Sequence, residues 1–153
     1  MLSGSGLVAV VCIGPWGSGK TALLRRYASN LDTPDHISTV NPDFIQAIFR
    51  NKQEEIKIAF WDIGGGNTSF ILTTVYARAA VALIVVDLSN LDHLNTIGKY
   101  QKEILDVNRV DADILLVGTH YDLRNDKDKA TQVNAAKKML QQKAQALGCR
   151  YFL

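Results

Sequence analysis

Eight consecutive residues near the N-terminus have the types and spacing to hold a phosphate: Gly14, Pro15, Trp16, Gly17, Ser18, Gly19, Lys20 and Thr21. They fit the pattern G-x-x-x-x-G-K-[ST]. Glycines allow successive backbone N–H groups to point inward at an anion. Lys20 can reach the outer phosphates of a nucleotide, and the Thr21 hydroxyl can ligate a magnesium ion. We therefore predict a nucleotide-binding loop at this position.

The segments on either side of this loop support the prediction. Residues 7–13 are a continuous apolar run typical of a buried parallel strand, and residues 22–28 are good helix formers. A glycine-rich turn between a strand and a helix adds the positive end of the helix dipole to the phosphate site. The alternative is a chance match in a glycine-containing turn, and the flanking segments argue against it.

Composition indicates one ordinary globular domain. The chain has 153 residues, of which 47% are hydrophobic and 21% are charged. A formal net charge of +2 is too small to indicate a nucleic-acid partner or a membrane surface. Cys12 and Cys149 form no metal-ligand spacing with the three histidines, so we expect reduced thiols and a cytoplasmic location. No apolar run is long enough to cross a membrane.

Strand and helix patterns alternate along the chain, which predicts an α/β fold with a mostly parallel sheet. Residues 29–42 are rich in polar residues and proline and read as a loop. Strands over residues 43–50 and 56–61 are close enough for a hairpin, which predicts one antiparallel strand. The remaining expected elements are helices over 70–78, 93–107 (with Gly98 a weak point) and 130–147, and strands over 80–86, 114–117 and from 150.

A second candidate site follows the strand at residues 114–117. The Asp122 carboxylate, at the carboxyl end of that strand, could accept two hydrogen bonds from guanine, and adenine offers no matching pair of donors. Taken alone, Thr119-His120-Tyr121-Asp122 is equally consistent with an ordinary turn from strand to loop. The order and spacing of this tetrapeptide relative to the other motifs favour the guanine-binding interpretation.

With those segments included, residues 7–153 resemble a small GTPase of the Ras superfamily, most closely the Rab branch. The phosphate loop matches the first motif of that family. Residues 36–44 (H-I-S-T-V-N-P-D-F) are similar to the Rab effector loop Y-I-S-T-I-G-V-D-F, and residues 61–66 (W-D-I-G-G-G) to W-D-T-A-G-Q. Residues 116–123 (L-V-G-T-H-Y-D-L) resemble L-V-G-N-K-x-D-L. The resemblance implies a P-loop NTPase G domain with helices on both faces of its sheet.

The resemblance also implies roles for individual residues, with GTP or GDP and Mg²⁺ as cofactors. Residues 14–19 would cradle the inner phosphates and Lys20 the outer ones. Thr21 and Thr39 would ligate magnesium, Asp62 would hold it through water, and the Gly65 N–H would contact the γ-phosphate. Asp122 would read guanine, assisted by Thr119 and His120.

Three departures from the family pattern predict weak catalysis and weaker binding. Gly66 stands where the family has the glutamine that orients the attacking water, so no catalytic residue is intact. Trp16 replaces a small residue and would crowd the γ-phosphate and block an arginine finger, which is worth on the order of 10³ to 10⁵ in rate. Asp32 stands where the family stacks an aromatic ring on guanine, although Leu31 or Tyr27 could cover the base.

The ends of the chain complete the predicted organisation. Residues 1–6 read as a flexible lead-in, and residues 7–153 as a G domain without the last base-contacting loop and the C-terminal helix of the family. The sheet face that this helix covers would be bare, which is unusual in a soluble monomer. We therefore expect further native sequence, or another chain or domain, to cover that face.

The leading hypothesis is a Rab-like switch in vesicle trafficking with slow or absent hydrolysis. Effectors or regulators would read segments 33–44 and 64–74, and a lipidated native tail would give an indirect, peripheral association with endomembranes. The alternative is a pseudo-GTPase scaffold within a larger protein. A P-loop kinase for a small metabolite is a third interpretation, but the only candidate for its arginine-bearing lid, residues 124–129, reads better as exposed surface.

Overall fold

The computed structural model describes residues 7–29, 38–41, 44–50, 55–64 and 70–153 of the chain. Within them, the strands are β1 (Leu7–Ile13), β2 (Ser38–Asn41), β3 (Phe44–Arg50), β4 (Glu55–Asp62), β5 (Val81–Asp87), β6 (Asp113–Thr119) and β7 (Arg150–Phe152). The helices are α1 (Lys20–Ser29), α2 (Phe70–Arg78), α3 (Leu91–Asn95), α4 (Ile97–Leu105) and α5 (Ala130–Leu147). A short 3₁₀ helix, Tyr121–Asn125, follows β6.

The seven strands form one sheet in the order β2-β3-β4-β1-β5-β6-β7. The pairings of β1 with β4, β1 with β5, β5 with β6 and β6 with β7 are parallel. β3 is antiparallel to both of its neighbours, so it is the reversed strand that the sequence predicted. The mostly parallel α/β architecture is confirmed.

The sequence-based boundaries were wrong in two places. Residues 38–41 form β2, although the whole of 29–42 was expected to be a loop, because a polar strand at a sheet edge lacks the apolar pattern used to find strands. The helix expected over 93–107 is divided at Thr96, two residues before Gly98. The Thr96 hydroxyl donates a hydrogen bond of 2.7 Å to the carbonyl of His93, which ends α3.

Helices lie on both faces of the sheet, as predicted. The side chains of β1 alternate, so that Val11 and Ile13 pack in one apolar cluster with residues of α2, α3, α4 and α5. Val10 and Cys12 pack in the opposite cluster with Leu24 of α1. Of the described helices, α1 alone contributes to this second cluster.

An apolar groove therefore remains beside α1. It has a volume of about 370 Å³ and is lined by side chains of α1 and the sheet, among them Leu23, Tyr27, Ile58, Phe60, Leu83 and Phe152. Phe152 is about half exposed. The sequence analysis expected a bare sheet face, and whether this groove is part of it stays a prediction.

Candidate nucleotide-binding site

The carboxyl ends of neighbouring parallel strands bring the predicted phosphate-binding residues together. Cys12 of β1 is paired with Asp62 of β4, and the N–H of Ile63 donates to the carbonyl of Cys12 at 3.0 Å. The loop that follows β1 thus begins beside the Asp62 carboxylate. Ligands of open α/β sheets bind at this edge, where the direction of the connections changes.

The first glycine of the phosphate loop is required by close packing. Gly14 has a φ of 149°, and a Cβ placed there would lie 2.1 Å from the backbone oxygen of Val85 on β5. Any side chain would push the loop away from the sheet. Gly14 therefore sets the path of the loop across the end of β5, which determines where its N–H groups point.

Lys20, the first residue of α1, is buried with 7% of its surface exposed. Its ammonium group donates to the carbonyls of Gly14 at 3.0 Å and Pro15 at 2.8 Å, and lies 3.4 Å from the Ser18 hydroxyl. Burial lowers the pKa of Lys20, and the nearby Asp62 acts in the opposite direction. The side chain is thus held across the loop, with its ammonium group beside the loop carbonyls.

Thr21 and Asp62 supply two oxygens that suit a magnesium ion. The Thr21 hydroxyl donates a hydrogen bond to the Asp62 carboxylate, which is 6% exposed. Hydroxyl and carboxylate oxygens are ligands that Mg²⁺ accepts, together with nucleotide phosphates and water. The backbone of Thr39, the third predicted ligand, lies in β2. Its side chain lies outside the described part of the structure, so its role stays a prediction.

These groups line a cleft of about 420 Å³ formed by Trp16, Gly17, Gly19, Lys20, Thr21, Asp62, Gly64 and His120. Lys20 and Asp62, with Ser18, are the buried polar residues of the described chain, so its desolvated polar groups are concentrated here. Trp16 borders the cleft with 87% of its surface exposed. Its indole lies at the mouth and does not fill the cleft.

A second pocket of about 510 Å³ adjoins the phosphate cleft and contains Asp122. It is lined by residues of α1, β6 and the turn after β6, with Phe152 and Leu153. Gly19 and His120 line both pockets and separate them. A ligand extending from the phosphate loop to Asp122 must therefore pass His120.

A hydrogen bond joins the phosphate loop to the motif after β6. The Thr119 hydroxyl donates to the carbonyl of Ser18 at 2.7 Å, across 101 residues of sequence. Its methyl group packs against Gly19, where a Cβ would approach to 3.4 Å. Thr119 therefore fixes the distance between the two predicted halves of the site.

Asp87, at the end of β5, was not among the predicted site residues. Its carboxylate accepts hydrogen bonds of 2.7 Å from both the N–H and the hydroxyl of Ser89, and lies 3.2 Å from Nδ1 of His120. The sequence carried a signal for it, because Asp87 ends a buried strand just as Asp62 does.

The structure corrects one suggestion about the base. Tyr27 does not cover the Asp122 pocket: its ring packs edge-on against Phe60 at 5.4 Å and lines the apolar groove. The other suggested cover, Leu31, lies outside the described residues, as do Asp32, Gly65 and Gly66.

Comparison with known proteins identifies the family. Residues 9–152, nearly the whole chain, match the Ras family. The chain belongs to the Ras family. This agrees with the phosphate loop, the cleft and the adjoining Asp122 pocket, and it confirms the resemblance found from the four sequence motifs.

Curated relatives of this Ras-family chain include Rab proteins. Ras-related protein Rab-3A of Homo sapiens is 33% identical over 120 residues, covering 77% of this chain and 54% of the relative. Rab-1C of Dictyostelium discoideum is 33% identical over 136 residues, covering 86% and 65%. Rab-3B of Bos taurus is 30% identical over 125 residues, covering 80% and 57%. The chain is thus Rab-like and spans between about half and two thirds of these relatives.

Among the described residues, no helix has the length and apolar character needed to span a membrane.

Proposed function

We propose that this protein binds GTP and GDP with Mg²⁺ and acts as a Rab-like switch with slow or absent intrinsic hydrolysis. One observation carries the proposal: the phosphate cleft around Lys20 and the pocket of Asp122 adjoin and share a wall. A guanine nucleotide has this distribution of groups, with anionic phosphates at one end and a base that donates paired hydrogen bonds at the other. Membership of the Ras family supports the same ligand.

The residues around the cleft would divide the binding between them. Lys20 and the loop N–H groups stabilise the phosphates, and α1 adds its N-terminal dipole. Thr21 would ligate Mg²⁺ and Asp62 would hold it through water, and Thr39 would complete the set from the first switch. The ion would supply positive charge that screens the outer phosphates. Asp122 accepts the guanine hydrogen bonds.

Two residues, Gly66 and Trp16, are the reason that we expect hydrolysis to be slow. Gly66 has no side chain to orient water. Trp16, which borders the cleft with an exposed indole, would obstruct the approach of a partner's arginine to the γ-phosphate. We expect the purified protein, when denatured, to release mostly GTP on an anion-exchange column. Release of mostly GDP would show that another group positions the water.

The double variant Trp16→Gly with Gly66→Gln tests this account of hydrolysis. We expect its single-turnover rate with GTP to rise at least about tenfold, since it regains a water-orienting side chain and an open mouth. The single variants Trp16→Gly and Gly66→Gln separate the two causes. Trp61→Phe is a control for the loss of a tryptophan that does not line the cleft. An unchanged rate in the double variant contradicts the account.

We further propose that partners read the two switch segments, 33–44 and 64–74, in a nucleotide-dependent shape. The proposal is supported for the second segment by Gly64, its first residue, which lines the cleft. For the first segment the support is the family resemblance, and residues 38–41 of that segment form the edge strand β2. The Rab relatives suggest a role in vesicle trafficking, with peripheral association with endomembranes.

A scaffold that binds no nucleotide is the second candidate, favoured by the apolar groove beside α1, which offers a surface for another domain or chain. Thermal unfolding distinguishes the two functions. A ligand present at 100 times its Kd stabilises the native state by about 2.7 kcal/mol. We expect a higher midpoint with Mg²⁺ and either GDP or GTP, and no shift with ADP. Equal midpoints under all conditions would favour the scaffold.

A further inference from the structure

The carboxylate of Asp122 is not oriented by contacts of its own. Asp122 is exposed, and its side chain makes no hydrogen bond or ion pair with any other residue that the structure describes. It lies in the 3₁₀ helix Tyr121–Asn125, which contains no buried residue. Short 3₁₀ helices have poor hydrogen-bond geometry and little stability of their own. The orientation of the carboxylate therefore depends on the contacts that hold this turn to the rest of the fold.

Tyr121 connects the turn to α5. Its hydroxyl accepts a hydrogen bond of 3.0 Å from the ammonium group of Lys137, which lies 5.0 Å from the centre of the ring. The guanidinium carbon of Arg124 lies 4.4 Å from the same centre, and Arg124 also donates to the carbonyl of Tyr121 at 3.1 Å. The ring is thus held by two cations, one from the turn itself and one from α5.

The hydrogen bond from Lys137 gives this contact a direction. Leu123 and the Tyr121 ring also pack against the apolar cluster that includes residues of α5, but apolar packing does not fix an orientation. The hydrogen bond lowers the pKa of Tyr121, as expected of a hydroxyl that accepts from a cation. The 18 residues of α5 include no carboxylate, and Lys137 forms no ion pair with a described residue. The Lys137 ammonium therefore has the Tyr121 hydroxyl as its partner.

We propose that Lys137 is a positioning residue for guanine recognition, which acts through Tyr121 to hold the Asp122 carboxylate where it accepts two hydrogen bonds from the base. The inference rests on the proposed function and adds to it a residue of α5 that lies outside all four sequence motifs of the family resemblance. Two parallel hydrogen bonds require a defined carboxylate plane, whereas a single bond tolerates rotation. Loss of the Lys137 contact therefore weakens recognition of guanine more than recognition of a base with one donor.

Hypoxanthine is such a base, because it keeps the N1–H of guanine and lacks the 2-amino group. The test is the ratio of the Kd values of IDP and GDP in excess Mg²⁺, measured by competition with a fluorescent GDP analogue. For the native sequence we expect GDP to bind at least about tenfold more tightly than IDP. Tyr121→Phe, which keeps the ring and removes the hydroxyl, and Lys137→Met should each lower this ratio at least about threefold.

A neighbouring lysine and a double variant serve as controls. Lys138 is an exposed residue of the same helix that makes no hydrogen bond, ion pair or ring contact with a described residue, so Lys138→Met should keep the native ratio. The double variant Tyr121→Phe with Lys137→Met should have the same ratio as either single variant, since both substitutions remove one and the same bond.

The outcomes separate this inference from the function on which it rests. An unchanged ratio in Tyr121→Phe and Lys137→Met would overturn the role of Lys137, even if both nucleotides bound more weakly, because the contact would then support the pocket without orienting Asp122. A ratio lowered equally by Lys138→Met would also overturn it and assign the effect to the charge of α5 in general. If the native protein binds GDP and IDP equally, or binds neither, the function proposed for Asp122 is wrong as well.

Discussion

At the scale of single residues, the path of the phosphate loop depends on the lack of a Cβ atom at Gly14. A Cβ on Gly14 would lie 2.1 Å from a backbone oxygen of Val85, and backbone cannot move aside as a side chain can. The pattern G-x-x-x-x-G-K-[ST] predicted a glycine for the sake of the phosphate. The structure adds a second reason, the close approach of the loop to β5.

Gly14→Ala should therefore destabilise the fold as well as the site. We expect the free energy of unfolding in urea to fall by at least about 2 kcal/mol, because the clash involves backbone and the φ of 149° is unfavourable for alanine. Gly98→Ala is the control: nothing lies within 4 Å of its Cβ in α4, and stability should stay equal or rise by up to about 1 kcal/mol. Equal effects of the two substitutions would contradict this interpretation.

The sequence suggested candidate site residues where chemistry is tied to fixed spacings and strand ends, as for Lys20, Thr21, Asp62 and Asp122. These four line two adjoining pockets, and their role in nucleotide binding stays a prediction. Asp87 was missed because its role depends on a contact with His120, 33 residues further along the chain. A contact between the ends of two neighbouring strands depends on how the sheet pairs, so the local sequence of either strand does not predict it.

At the scale of elements, the connection between β1 and α1 and the turn after β6 act as one unit. Their link is the hydrogen bond from Thr119 to the carbonyl of Ser18. In the proposed function one side holds the phosphates and the other the base, so a change in their separation would alter the fit of the whole nucleotide. Thr119 thus links two loops that are far apart in the sequence.

Thr119→Val should loosen the nucleotide with little effect on the fold. Valine keeps the methyl contact with Gly19 and removes the hydrogen bond, so we expect GDP dissociation to accelerate about tenfold while the free energy of unfolding changes by about 1 kcal/mol or less. Thr96→Val is the matched control, because it removes a hydroxyl-to-carbonyl bond of the same 2.7 Å length between α3 and α4. Unchanged dissociation in Thr119→Val would show that the link does not matter.

Element boundaries were predictable where burial gives a strong pattern. Helices α2 and α5 have the predicted limits, and Gly148 ends α5 with a φ of 64°. The strand β2 could not be predicted in this way, because its polar composition is not typical of a strand. Its strand conformation depends on pairing with β3. The division at Thr96 depends on one side-chain hydrogen bond, which competes with the helix locally.

At the scale of the whole molecule, the two faces of the sheet are covered unequally. Four helices pack on one face, and α1 is the described helix on the other, leaving the apolar groove beside it. The sequence analysis expected a bare sheet face from the family pattern, and that expectation, like the identity of whatever covers the groove, stays a prediction.

The groove should bind an apolar dye. We expect the folded 153-residue protein to enhance the fluorescence of 1-anilinonaphthalene-8-sulfonate, because the dye responds to exposed apolar surface. Phe152→Glu should reduce the enhancement at least about twofold, by placing a charge in the groove wall. Leu105→Glu, at an equally exposed leucine on α4, should leave it unchanged. Equal effects of both variants would locate the dye elsewhere.

The hydrogen bond from Thr119 to Ser18 joins residues far apart in the sequence, and this separation has a consequence for biosynthesis. A ribosome releases the phosphate loop early, yet the strand that carries Thr119 follows 101 residues later. Parallel pairing of β1 with β4 and β5 likewise waits for distant sequence, so the central strand has no partners while the first part of the chain emerges. The Asp122 pocket is therefore complete only after residues as late as Phe152 have been made, whereas the partners of the Lys20 ammonium group lie in its own loop.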